Sequence, residues 1–350
     1  MPAKILIVRL SHLGDVVHAL GVFHALHEAY PAAEIGWVTQ PEFAGLLVGL
    51  PGLSRVFRFD RRSGWRAWPR IRAELASFGA DLAVDAQGNL KSAAVTWCSG
   101  AARRLGLAPA DWRERLGAVV VNDPAPPLPP GAVHAMDKML ALARHAAPAA
   151  SSPLRLDPGL ATSERIRGEK ELRRLLPAAG PGAVIAHLSS PGDIRAWPGE
   201  RWAELAHLLA ARGRPLLLVS GPAEAAVGER LAAELGNGPR LGHWVGQRGL
   251  RELAAVFAAA GRQGMRLVAG DSGPAHLAAA GGLPVLALAG PQDASRTGPW
   301  PRAGRGGHLV LRAESGPSCA PCRARRCDHA EGPVCMAGIP AAAVLAVLEA

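Results

Sequence analysis

The stretch RLSHLGDVVHAL, from Arg9 to Leu20, sets one carboxylate, Asp15, behind a glycine where an apolar run gives way to a helical pattern. Two uses fit such a residue. An Asp at a helix start accepts hydrogen bonds from unpaired backbone N–H groups. A carboxylate held beside a bound hydroxyl can instead take its proton. Taken alone, the segment favours the cap. His18, His24, His27 and Glu28 follow in the same segment. His24 and Glu28 have the i, i+4 spacing of a metal pair. A solvated polar helix face is the plainer reading.

Three further stretches are built to receive an anion. In HLSSPGDIRAWPGERWAEL, Ser189 and Ser190 end an apolar run, and Arg195 precedes the Trp197-Pro198 helix start. Small hydroxyls and free N–H groups accept phosphate oxygens there, and an arginine neutralises them. In AGDSGPAHLAAAGG, Asp271, Ser272 and Gly273 leave a strand, Pro274 suits a first helical turn, and His276 lies just inside. Its free N–H groups could bind a diphosphate. The next apolar run ends in a similar loop, AGPQD. Glu224, after LLLVSGPA, stands where acids hydrogen-bond ribose hydroxyls, or simply favour a helix start. Between Arg55 and Arg72 the chain has seven arginines and one acid, Asp60, with Trp65 and Trp68 interleaved. Such a run suits phosphate and carboxylate groups of a lipid or nucleic acid, or a solvated helix face. Lys91, after DAQGN, is another cation near a strand end.

These positions depend on the elements that carry them. KILIVRL, EIGWVTQ, DLAVDAQG, AVIAHLSS, PLLLVSG, RLVAGDSG and PVLALAG read as buried strands, each ending in a polar residue or glycine. Segments with helical spacing lie between them, among them DVVHALGVFHALHEAY and ERWAELAHLLAARG. The alternation predicts βαβ units, parallel sheets, and ligand sites at the strands' carboxyl ends. NDPAPPLPPG reads as a surface loop. A second series starts near Ala183, so two Rossmann-like halves are expected with a cleft between them. The divisions are 1–165, 166–335 and a terminal helix over 336–350.

The chain has 350 residues, 49% of them hydrophobic, and a net charge of +10. That is a globular composition with room for two domains. The excess charge suggests an anionic partner. No stretch reads as a signal peptide or a membrane span, so a cytoplasmic protein is expected. Cys98 reads as core. Cys319, Cys322, Cys327 and Cys335 form C-x2-C-x4-C-x7-C, which could be a structural metal site or four reduced thiols.

The set RLSHLGDVVHAL, DAQGNLKSA, HAMDK, SSPGDIRAWPGERWAEL, SGPAE and GDSGPAHLAAAGGLPVLALAGPQD, in this order, resembles the bacterial lipopolysaccharide heptosyltransferases of glycosyltransferase family nine. DAQGNLKSA with HAMDK leans toward the first heptosyltransferase, which acts on the innermost Kdo sugar. The resemblance implies an α/β GT-B fold, two Rossmann-like domains facing across a cleft. It implies an inverting transferase that moves heptose from ADP-L-glycero-D-manno-heptose to the Kdo or inner-core region, with no required cofactor. By the same resemblance, Asp15 is the general base. Ser189, Ser190, Arg195, Glu224, Asp271, Ser272, Gly273 and His276 hold the donor. Arg195 stands where relatives often have lysine, which keeps the charge and changes the reach. Given that function, Arg61, Arg62, Arg66 and Lys91 become candidates for the anionic acceptor at the inner membrane's cytoplasmic surface. Rival readings are a family member with another donor or acceptor, or a nonenzymatic lipopolysaccharide- or nucleic-acid-binding protein. Nucleic acid is not an expected partner.

Overall fold

The computed structural model describes residues 1–350 except 152–153, 190–191, 237, 247–248, 303, 305 and 325. The chain forms two units, Met1–Gly159 and Leu160–Ala350. Each contains one six-stranded parallel sheet.

In unit one the strands are β1 (Lys4–Val8), β2 (Glu34–Thr39), β3 (Leu53–Arg58), β4 (Leu82–Asp85), β5 (Arg103–Gly106) and β6 (Asp123–Pro124). Their order is β3-β2-β1-β4-β5-β6. In unit two they are β7 (Val184–His187), β8 (Leu216–Ser220), β9 (Leu241–Val245), β10 (Arg266–Gly270), β11 (Val285–Leu288) and β12 (Leu309–Leu311). Their order, β12-β11-β10-β7-β8-β9, is the same pattern. In both sheets the chain winds one way from the first strand and then crosses to its other side. The reversal opens a crevice beside the first strand's carboxyl end, the usual ligand position in such sheets. In unit one it lies between β1 and β4, and in unit two between β7 and β10.

The seven strands read from sequence are all present. Five more exist. The proline-rich segment Asn122–Gly131 is not wholly a loop, because its Asp123–Pro124 pairs with β5 at the sheet edge, where a missing N–H costs no ladder bond.

Each unit has its own core. Leu6, Val8, Val38, Phe57, Leu75 and Phe78 fill one side of the first sheet. Under the second lie Trp197, Trp202, Leu205, Leu209, Met336 and Val344. Trp197 packs edge-on to Trp202 at 4.7 Å and donates to the Ile339 carbonyl at 3.1 Å. Burying an aromatic ring of this size contributes about 2–3 kcal/mol. That burial fixes the loop holding Arg195. The helix Leu13–Ala29 is buried nearly all round, so the expected solvated face is absent. His24 Nε2 lies 2.9 Å from the Asp157 carbonyl, and Glu28 accepts from the Ser151 N–H at 3.0 Å. These two side chains hold the backbone leading to the unit boundary.

Candidate active site

At the unit-one reversal, β1 runs directly into Arg9, which is buried. Its Nη2 lies 2.6 Å from Asp15 Oδ2, and its Nη1 donates to the Ala86 carbonyl beyond β4. Arg9 thus ties the two strands flanking the reversal to the carboxylate. Gln87 Oε1 accepts from the Leu10 N–H at 2.7 Å, closing the same corner. Asp85 ends β4, wholly buried, and accepts from the Gln87 and Gly88 N–H groups at 2.8 and 2.9 Å. Burial pushes the Asp85 carboxyl up, with these hydrogen bonds opposing.

Asp15 is not the helix N-cap. His12 holds that position, and Asp15, three residues on, accepts the His12 N–H at 3.2 Å. That is the reciprocal half of a capping box. Burial disfavours its charge, but Arg9, the His12 hydrogen bonds and His18 together hold the carboxyl far below the usual range. Its side chain keeps 36% exposure. His18, one helical turn on, faces His134 with ring centroids 6.1 Å apart. His134 caps the helix Ala135–Ala146 through Nδ1 and the Met136 N–H at 3.0 Å. The HAMDK and SHLGDVVHAL segments therefore meet.

Arg61, Arg62 and Arg66 lie on an exposed 3-10 segment just beyond β3. Arg62 pairs with Glu42 at 2.9 Å, and Arg66 lies 5.8 Å from the Trp65 ring centroid. Lys91 is exposed in the first turn of the helix Leu90–Cys98, beyond β4.

Unit two gathers its candidates at one sheet edge. His187 ends β7, and its Nδ1 is 3.4 Å from Ser272 Oγ, just beyond β10. Burial pushes the His187 imidazole down to about 4, against a smaller opposing pull from Glu224. The ring is neutral at physiological pH. Glu224 follows β8 and is buried, folded back over Gly221. Asp271 Oδ1 lies 3.3 Å from His276 Nε2, and its Oδ2 accepts from Thr297 Oγ1 at 3.0 Å. Ser272 stands at the N-cap position of the helix Gly273–Ala280, with no side-chain cap bond. The Gly273 N–H has no partner among the described residues and points out of the helix start. A small cavity between the β10 and β11 ends is lined by Asp271, His276, Gln292 and Thr297.

Arg195 forms a fork with Asp193, Nε to Oδ1 at 2.9 Å and Nη2 to Oδ2 at 2.6 Å. Those bonds raise its pKa further, and the guanidinium N–H groups with no partner among the described residues remain for an anion. Its backbone carbonyl lies so near Gly270 that a Cβ there would sit 2.7 Å away. Ser189 is half-buried beside the same glycine, while Ser190 lies outside the described residues.

Of the four late cysteines, Cys335 has its thiol pushed up by burial, and Cys322 and Cys327 lie close enough to push it the same way. Cys319 faces His329 Nε2 at 3.6 Å, Cys327 donates to the Gly332 carbonyl at 3.2 Å, and Cys335 is buried. Among the described residues no group of three or more His, Cys, Asp or Glu side chains is placed to hold a metal ion. No described helix is long and apolar enough to cross a membrane. Sequence reasoning missed Arg9, Gln87, Asp193 and His187. None of the four carries a spacing that marks its role in the sequence.

Two sheets of this order, each with polar groups at the reversal of its strands, define an α/β protein of the GT-B class. The glycosyltransferase family 9 (heptosyltransferase) pattern matches residues 68–328, and the chain belongs to that family. It is 32% identical over 342 residues to lipopolysaccharide heptosyltransferase 1 of Pseudomonas aeruginosa, covering 93% of this chain and 88% of that protein. It is 28% identical to the heptosyltransferase 1 of Escherichia coli K12, covering 83% of this chain and 88% of that one. The structure of E. coli heptosyltransferase WaaC with ADP superposes with a TM-score of 0.74 at 25% identity, covering 99% of both chains. The protein is a glycosyltransferase.

Proposed function

We propose that this chain is an inverting heptosyltransferase of the lipopolysaccharide core. It moves heptose from ADP-L-glycero-D-manno-heptose to the Kdo region of a lipid-anchored acceptor at the inner membrane's cytoplasmic face. The observation that carries the reading is the ionised Asp15 carboxylate, held by Arg9 at the strand reversal of unit one. Its relationship to heptosyltransferase 1, along nearly the whole chain, supports the choice of sugar and acceptor.

In this mechanism an acceptor hydroxyl oxygen attacks the anomeric carbon from the face opposite ADP. The bond from that carbon to the phosphate oxygen breaks, its electron pair leaves with ADP, and the centre inverts. The hydroxyl proton passes to Asp15. A carboxylate paired this tightly is a weak base in the free protein. That suffices, because the hydroxyl becomes strongly acidic as its oxygen bonds to an oxocarbenium-like carbon. The growing charge on ADP is met by Arg195, the Gly273 N–H and the start of its helix. Ser189, Ser190 and Ser272 supply hydroxyls to the diphosphate. Glu224 holds the nucleotide ribose, and Asp271 with His276 orients the heptose. Arg61, Arg62, Arg66 and Lys91 steer the Kdo carboxylates and lipid phosphates.

ADP release with ADP-heptose and Kdo-containing lipid A tests the reading. Turnover is expected to continue in EDTA, since the scheme uses no divalent metal. Asp15→Asn is expected to lower kcat by roughly 10²–10⁴ while donor affinity is kept. Full activity in that variant would remove Asp15 from the chemistry. Turnover only with a different acceptor would keep the family and replace the substrate.

A further inference from the structure

The most exposed large apolar side chains of unit one include Leu90 at 49%, Trp97 at 62%, Leu116 at 78% and Val119 at 83%. Their spacing puts them on common faces. Leu90, Ala94 and Trp97 recur at i, i+4 and i+7 on the helix Leu90–Cys98, so they form one stripe. Leu116 and Val119 are i, i+3 in the 3-10 segment Arg115–Val120, where side chains three apart eclipse. The two elements pack together. A Cβ on Gly117 would sit 3.2 Å from the Ala93 Cβ, and the Leu90 N–H donates to Glu114 at 2.8 Å. Arg104 bridges them, 5.1 Å from the Trp97 ring centroid, with its Nε donating to the Val120 carbonyl at 2.7 Å.

Cations rim this apolar surface. Lys91, Arg113 and Arg115 are exposed, and no described acidic side chain pairs with them. Exposed Arg72, on the neighbouring helix Ala67–Phe78, is close enough to pull the Cys98 thiol down against its burial. Glu114, the acid between the two arginines, is engaged by the Leu90 N–H.

We propose that this face docks on an anionic lipid bilayer. Tryptophan and aliphatic side chains enter the headgroup boundary, and the rim cations pair with lipid phosphates. An apolar surface alone would suit any partner. The surrounding unpaired cations complement a negatively charged membrane. Leu90 and Lys91 begin at the carboxyl end of β4, the sheet edge that also bears Arg9 and Asp15. Docking there would bring that edge to a lipid-anchored acceptor, so this part of the argument rests on the function proposed above.

Flotation with phosphatidylethanolamine–phosphatidylglycerol vesicles, against phosphatidylcholine alone, tests it. The intact protein is expected to float with the anionic vesicles, to be released as salt rises, and to ignore the neutral ones. The double variant L116E/V119E should bind roughly tenfold or more weakly. Its circular dichroism and melting should match the parent, because both side chains already face solvent. R113E/R115E should weaken binding in the same way. ADP release with a deacylated, water-soluble Kdo acceptor should be unchanged in L116E/V119E, while KM for the vesicle-embedded acceptor rises. Equal flotation of parent and variants, or equal binding to neutral vesicles, overturns the proposal. So does a change in oligomeric mass by light scattering without a change in flotation, which would assign the face to a second copy. Absent turnover of the soluble acceptor by the parent protein would reject heptosyl transfer and leave the vesicle result to be judged separately.

Discussion

At Asp15 two effects oppose each other. Burial disfavours the charge, and Arg9 at 2.6 Å, with His12 and His18, more than offsets it. Arg9 therefore sets the basicity of the proposed general base without being placed to touch the sugar itself. In Arg9→Met the burial remains and its main compensation is gone, so the Asp15 pKa should rise. The parent kcat/KM should show no acid limb from Asp15 above about pH 4, the ordinary range for a carboxylate. The variant should acquire one at higher pH. An unchanged profile would mean that Arg9 does not control the titration. Asp15 was legible because a lone acid behind glycine at a strand-to-helix step is conspicuous. Arg9 was not, because nothing in a sequence states that a loop arginine will turn inward and bridge two strands. Gln87 was equally hidden, since its amide serves a backbone N–H 77 residues away.

The elements explain why some strands were visible and others were not. β1, β4, β7 and β10 flank the two reversals, are covered on both faces, and read as unbroken apolar runs such as KILIV and RLVAG. The overlooked strands lie toward the sheet edges. β3, LSRVFR, has one buried residue, β9, LGHWV, alternates, and β5, RRLG, starts with two arginines. The site elements were thus the legible ones, because ligand loops spring from the most buried strands. The same closeness of packing yields a test at Gly270. A Cβ there would meet the Arg195 carbonyl at 2.7 Å, and backbone cannot rotate away as a side chain can. Gly270→Ala should shift the Arg195 loop, cost about 1–3 kcal/mol of stability, and raise the KM for donor. Acceptor affinity, carried by unit one in the proposed scheme, should be unaffected. Unchanged donor kinetics would show that the Arg195 loop does not serve the donor.

For the molecule as a whole, a pI near 10.3 suggests comfort in acid, but four buried or half-buried histidines argue otherwise. His187, His24, His243 and His308 all have pKa values lowered first of all by burial. Each binds a proton more readily when unfolded than when folded. Below the unfolded value of about 6.5 the unfolded state takes up more protons, so stability falls as pH falls. For His187 the loss runs from there down to the folded value of about 4. A shift of that size corresponds to about 3 kcal/mol. The carboxylates with lowered pKa values, Asp15, Asp123, Asp157 and Glu164 among them, act in a different window. Their stabilisation is complete above the ordinary carboxylate range and is lost only as pH falls through their lower folded values. Acid lability should therefore begin near pH 6.5 through imidazoles, well before these lowered carboxylates titrate. Urea unfolding at pH 7.5 and pH 5 measures it. The parent should lose stability between the two, and His187→Gln should lose less, because its neutral amide has no proton to gain. An equal loss in both proteins would reject His187 as a source of the acid sensitivity.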